Sequence, residues 1–122
     1  MYLANYTRPD IASFALNLLA MYSAAPTRRH WVGVKTILVY LQGTQDLGLW
    51  FSKNQVPTMV GYVDADYRSD PHIARSQTGF VFLDGGASIS WRSMKQTLVA
   101  ASTNHSEIIT LYEATRECIW LK

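Results

Sequence analysis

The chain has 122 residues, a hydrophobic content of 48% and a formal net charge of +2, which predicts ordinary globular structure and excludes a wholly disordered protein. Its single cysteine, Cys118, excludes an intrachain disulfide and a cysteine-based zinc site, so we expect a reducing, intracellular setting. No apolar run approaches the roughly 18 residues that span a bilayer, and residues 1–10 lack the pattern of a signal peptide. We therefore expect a soluble protein with no membrane partner.

The first 46 residues predict a pair of helices. Thr7 can cap the first helix, in which apolar residues recur at helical spacing as far as Pro26. Thr27 can cap a second helix that runs to about Leu41 and stops at Gly43. Because the connection is short, the two helices should pack as an antiparallel or angled pair. The second helix carries an apolar stripe of Trp31, Val34, Leu38 and Leu41.

Basic residues mark the polar side of this second helix. Arg28, Arg29 and Lys35 lie in its first half, where they form either a solvated face or a surface that contacts phosphates. The basic first half of the chain precedes a second half with a slight acidic excess. This asymmetry suits a nucleic-acid partner held beside a metal site, although it does not require one.

Residues 47–122 predict a small sheet covered by a helix, and the fold class is therefore α/β. Strand patterns occupy 59–67, 78–83 and 87–91, and the DGG turn at 84–86 joins the last two. Short links favour an antiparallel meander. A final helix from about Asn104 to Leu121 should cover this sheet. Its apolar stripe consists of Leu111, Ala114, Cys118 and Leu121.

Carboxylates occupy unusual positions in the strand GYVDADY, residues 61–67. Asp64 and Asp66 should share one face of the strand, and aspartate is otherwise depleted in strands. With Glu107 at the head of the covering helix, they could converge on one or two divalent cations. Asp66 could instead end the strand in an Asx turn, and Glu107 could belong to a capping box whose cap is Asn104.

Seven stretches in this order resemble the Pol polyprotein of copia-type LTR retrotransposons, where the reverse transcriptase joins its ribonuclease H domain. The stretches are TRPDI, PTRRHW, ILVYLQGTQDLGL, GYVDADY, RSQTGFVF, ISWRSMKQ and HSEIITLYEATRECIWL. The resemblance covers nearly the whole chain. It implies that residues 1–46 are the end of the polymerase region. Residues 47–122 would form the N-terminal part of a ribonuclease H-like fold, with three strands and the first helix.

The resemblance also implies an activity and its residues. Asp64 and Glu107 match the family's first two catalytic, metal-binding carboxylates, and Asp66 matches a further acidic position whose role there is less certain. The implied cofactor is Mg²⁺ (or Mn²⁺), and the implied substrate is the RNA strand of an RNA/DNA hybrid, hydrolysed by two-metal catalysis. Thr103 and Asn104 match positions that contact the minor groove of the hybrid. The remainder of the Pol polyprotein is the implied protein partner.

Departures from the family pattern limit this expectation. Members read close to STEAEY where this chain reads STNHSEI, and their later catalytic carboxylates follow the first helix. Glu113 and Glu117 should lie on the outer side of the last helix and cannot replace them. We therefore expect a fragment with little or no nuclease activity. The alternatives are a non-catalytic nucleic-acid-binding module, or a structural relic that self-associates through the edge of an unfinished sheet.

Overall fold

A computed structural model describes residues 2–12, 15–54, 56–70 and 73–122. Their elements, in chain order, are α1 (Tyr2–Tyr6), α2 (Pro9–Ala12), α3 (Ala15–Met21), α4 (Arg28–Gly43), β1 (Met59–Asp66), β2 (Gln77–Asp84), β3 (Ala87–Lys95) and α5 (Thr103–Trp120). The chain divides into two compact units, Met1–Trp50 and Phe51–Lys122. Across the described ranges, none of the helices combines the length and apolar character that a membrane crossing requires.

The predicted second helix is confirmed as α4, with Thr27 at its N-cap in an extended conformation. The Thr27 N–H donates to His30 Nδ1 at 3.1 Å, and the His30 ring stacks on Tyr22 with the centroids 4.1 Å apart. The predicted first helix is helical on both sides of residues 13 and 14, as α2 and α3, and those two residues fall outside the described residues.

The apolar stripe on α4 is largely exposed. Trp31 and Leu38 are each 58% exposed, and α4 contributes no buried residue. The reason is that α3 meets α4 at Gly33, on another side of the helix. A Cβ atom at Gly33 would lie 3.0 Å from Leu19 Cδ2, so α3 packs closely where α4 has no side chain.

The buried residue Arg8 links the start of the Met1–Trp50 unit to the end of α4 through hydrogen bonds. Arg8 Nη2 donates to Asp10 Oδ2 at 2.7 Å and to Thr44 Oγ1 at 2.7 Å. The Tyr40 hydroxyl also donates to Asp10, at 2.9 Å. These hydrogen bonds favour the ionised carboxylate, with the Arg8 guanidinium as the main cause, and they lower the pKa of Asp10.

The α/β class and the antiparallel meander are confirmed, with sheet order β1-β2-β3, and they are compatible with a partial ribonuclease H-like fold. Gly85 and Gly86 adopt φ values of 54° and 85° in the turn between β2 and β3, which glycine reaches without steric penalty. In β1, Gly61 pairs with Phe82. A Cβ at Gly61 would lie 2.6 Å from the Phe82 ring, so the ring packs directly on the backbone of β1.

Helix α5 covers one face of the sheet. Phe80, Phe82 and Ala114 form the buried core, and Cys118 and Leu121 pack against it. The predicted stripe is therefore confirmed at its last three positions. It is wrong at Leu111, which is 59% exposed, because the buried face continues toward the N-terminus through Thr110 and Ser106, both at 0% exposure.

The start of α5 also differs from the prediction. Ser102 is the N-cap, and its hydroxyl accepts the His105 N–H at 3.2 Å. Asn104 therefore lies inside the helix, and the capping-box interpretation of Glu107 is wrong. At the other end, Glu117 does not lie on the outer side as predicted, because its carboxylate accepts a hydrogen bond from Ser90 Oγ at 2.7 Å.

The Asp10 carboxylate gives the Met1–Trp50 unit a defined acid sensitivity. Because its folded-state pKa lies below the ordinary value of 3.8, its stabilisation is fully present above that value and is lost as the pH falls through the lowered pKa. Asp10→Asn should remove this part of the pH dependence. Amide hydrogen exchange across α4, measured from neutral pH to about pH 2, checks the expectation.

Asp46→Asn is the matched control, because Asp46 is an exposed aspartate of the same unit. It should leave the acid sensitivity of α4 unchanged. The assignment to Asp10 is refuted if the two variants and the parent chain lose protection over the same pH range.

Candidate functional site

A groove lies between β1 and the first half of α5. It has a volume of about 510 Å³ and is open to solvent. Its lining consists of Val63, Asp64, Ala65, Asn104, Glu107, Ile108, Thr110 and Leu111. The structure thus brings Asp64 and Glu107, about forty residues apart in sequence, to one surface depression. These are the two residues that the family resemblance implies to be catalytic.

Strand register positions the two aspartates of β1. Asp64 pairs with Gly79 and Asp66 pairs with Gln77, so both lie on one strand face, as alternation predicts. The neighbouring Val63 pairs with Phe80, on the face that α5 covers. Because β1 is an edge strand, Asp64 borders the groove from the edge of the sheet, and Glu107 borders it from α5.

Asp66 has a different position from Asp64. It is exposed and ends β1, and it is not among the residues that line the groove. The described residues contain no group of three or more His, Cys, Asp or Glu side chains that could hold a metal ion. The groove therefore offers two carboxylates.

The donor set of the groove suits a hard divalent cation. Asp64 and Glu107 provide carboxylate oxygens, and Asn104 provides an amide oxygen along the same lining. Magnesium is commonly bound by one or two carboxylates, with water and substrate phosphates completing its octahedral coordination. The residues present are of the type that Mg²⁺ or Mn²⁺ takes in such sites.

The predicted nucleic-acid-binding residues fall into two groups. Thr103 and Asn104 are exposed in the first turn of α5, and Asn104 lines the groove. Arg28, Arg29 and Lys35 are exposed residues of α4, in the other unit. Lys35 Nζ lies 5.6 Å from the centroid of the Trp31 ring, a cation–π arrangement.

Other acidic residues of the Phe51–Lys122 unit have structural contacts. Asp70 is 4% exposed, and its carboxylate accepts a hydrogen bond from Lys95 Nζ at 2.6 Å. Glu117 accepts one from Ser90, as described above. These contacts hold the loop after β1 and the end of α5 against β3, and neither residue lines the groove.

Sequence reasoning missed the polar layer behind the groove. Thr78 Oγ1 and Thr110 Oγ1 lie 3.0 Å apart, and Gln96 Nε2 contacts both hydroxyls. One signal was present in the sequence. Ser106, Thr110, Ala114 and Cys118 recur every four residues, which indicates a single helix face whose N-terminal half is polar and buried.

Comparison with known proteins places the chain among retroelement sequences, although no family model and no solved structure matches it. It is 43% identical over 121 residues to the Plasmopara viticola protein named secreted RxLR effector protein 161, covering 99% of this chain and 84% of that protein. It is 42% identical over 122 residues to the retrovirus-related Pol polyprotein from transposon TNT 1-94 of Nicotiana tabacum.

The chain is also 37% identical over 120 residues to the retrovirus-related Pol polyprotein from transposon RE2 of Arabidopsis thaliana. The chain spans only 9% of the Nicotiana polyprotein and 8% of the Arabidopsis one. Nearly all of its residues take part in each alignment, at 98% or more of its length. The chain therefore belongs to a family of retrotransposon Pol-related sequences that includes the Plasmopara viticola protein.

Proposed function

We propose that the chain is part of a retrotransposon ribonuclease H, which in complete form hydrolyses the RNA strand of RNA/DNA hybrids. The observation that carries the proposal is the shared groove of Asp64 on β1 and Glu107 on α5. The similarity to Pol polyproteins of transposons supports it. The α/β architecture, in which α5 covers a three-stranded meander, is compatible with it.

Each carboxylate has a specific role in this proposal. Asp64 and Glu107 would hold the divalent cation through their oxygens, and Asp66 is a further candidate ligand on the same strand face as Asp64. When bound, Mg²⁺ or Mn²⁺ would activate water and offset the charge of the phosphodiester. Ser102 caps α5 and Thr110 is buried against the sheet, so Glu107 projects from a helix fixed before and after it.

Hybrid binding would use shape and charge, because proteins recognise A-like duplexes mainly through 2′-hydroxyl and phosphate contacts in the minor groove. Asn104 offers an amide along the groove that the carboxylates share, and Thr103 offers an exposed hydroxyl one residue before it. Arg28, Arg29 and Lys35 would contribute contacts to phosphates. The protein partner of this chain would be the rest of a Pol polyprotein.

Two groove carboxylates should support cation binding better than hydrolysis. Two-metal catalysis needs enough ligands to fix both ions and to balance their charge, and no larger cluster forms among the residues that the structure describes. We therefore expect the 122-residue chain to bind cation and hybrid but to cleave the hybrid poorly or not at all.

Cation binding is tested by titrating Mn²⁺ into the chain and following free Mn²⁺ by electron paramagnetic resonance. We expect a dissociation constant on the order of 10⁻³ M, as for weak carboxylate sites. Asp64→Asn and Glu107→Gln should each weaken binding about tenfold. Asp84→Asn is the control, because it removes a carboxylate that does not line the groove. Equal affinities for all four chains would refute the site.

Hybrid binding is tested by a gel shift with labelled RNA/DNA hybrid over a range of salt concentrations. The double variant Arg28→Gln/Arg29→Gln should bind more weakly and reduce the salt slope by about two. Arg116→Gln is the matched control, an exposed arginine of α5 that pairs with Glu113 at 3.5 Å. Unmeasurable affinity of the parent chain at low salt would exclude binding. Magnesium-dependent cleavage that Asp64→Asn abolishes would overturn the expected inactivity.

A second candidate function is self-association, which the edge position of β1 favours. Its outer backbone groups have no strand beside them within the described sheet order, and Val60 and Tyr62 are 40% and 59% exposed. Edge strands of this kind readily pair with another chain. In sedimentation velocity the chain should then form dimers that Val60→Lys dissociates, whereas Ile119→Lys on α5 should not. A monomer at all concentrations would exclude this function.

A further inference from the structure

Gln96 is a buried amide placed directly behind the groove. It follows β3 and is 3% exposed. Its backbone N–H donates to Ser76 O at 2.9 Å, which fixes the point from which the side chain extends. The side chain then bridges from the end of β3 to the first turns of α5.

The contacts of the carboxamide lie on both sides of Glu107. Gln96 Nε2 donates to Ser106 O at 2.9 Å and to Thr110 Oγ1 at 3.0 Å. Ser106 directly precedes Glu107, and Thr110 follows it by nearly one turn and lines the same groove. A rotation of α5 that moved Glu107 away from the groove would therefore break both hydrogen bonds.

Acceptor chemistry fixes the orientation of this amide. The Ser106 carbonyl oxygen can only accept, so the nitrogen of Gln96 must face it and the oxygen cannot. Gln96 Oε1 is buried and has no hydrogen-bond partner among the described residues. The hydrogen bonds of this side chain to the described residues therefore run through Nε2, to α5 and to Thr78.

We propose that Gln96 is a positioning residue for Glu107: it sets the rotation of α5 so that this carboxylate borders the groove beside Asp64. The cation-binding part of this inference rests on the proposed function, whereas the positioning of α5 does not. Gln96 acts through α5, as residues that orient metal ligands generally act through hydrogen bonds behind them.

The test compares Gln96→Met, which keeps the length of the side chain and removes its amide, with a matched control. Gln77→Met removes an equally buried amide, 4% exposed, whose Nε2 donates to Ser93 Oγ at 2.6 Å and not to α5. Two quantities are measured on the full chain: Mn²⁺ affinity, and amide hydrogen exchange over residues 106–110 relative to residues 114–120.

Gln96→Met should weaken Mn²⁺ binding by less than the about tenfold loss expected for Glu107→Gln and should accelerate exchange selectively over 106–110, while Gln77→Met changes neither. Equal effects of the two variants, or no effect of Gln96→Met, would overturn the proposal. If the parent chain binds no Mn²⁺, the proposed function fails, and the exchange pattern alone decides whether Gln96 positions α5. If Gln96→Met does not fold, Thr110→Val removes the hydroxyl partner at constant shape and should give the same selective exchange.

Discussion

The docking of α5 on the sheet is the contact on which the rest of the Phe51–Lys122 unit depends. Its C-terminal half is held by apolar burial, where Ala114 packs on Phe80 and Phe82. Its N-terminal half is held by hydrogen bonds, where Thr110 meets Thr78. Apolar burial stabilises the docked helix but does not fix its orientation. The hydrogen bonds require a particular geometry and therefore fix the orientation of the helix. The groove lies beside the N-terminal half of α5, where these hydrogen bonds fix the orientation of the helix.

This division explains why the sequence predicted the architecture well. The strand patterns, the DGG turn and the long final helix each depend on local chemistry, namely alternation, glycine conformation and helical periodicity. Each of them is present in the structure, with boundaries shifted by a few residues. The pairing of Asp64 with Glu107 was instead implied by the family resemblance, because strand alternation places Asp64 on the face opposite the one that α5 covers.

The errors share a different cause, since they concern tertiary choices that local pattern does not determine. Leu111 has the spacing of a core residue, but Thr110 and Ser106 occupy the buried face because Gln96 can satisfy them there. Ser102, and not Asn104, is the N-cap of α5, although both residue types are good N-caps. The exposure of the apolar stripe on α4 is also a tertiary outcome, because α3 approaches α4 at Gly33.

Gly61 has a consequence for the site although it lies outside the groove. Antiparallel strands can slip, and a slip of one residue would carry Asp64 to the other face of the sheet. A slip of two residues would preserve the face but would bring Met59 or Val63 beneath the Phe82 ring, where even a single Cβ atom has no room. The missing side chain of Gly61 thus fixes the register between β1 and β2. The position of Asp64 in the sheet therefore depends on a glycine three residues before it.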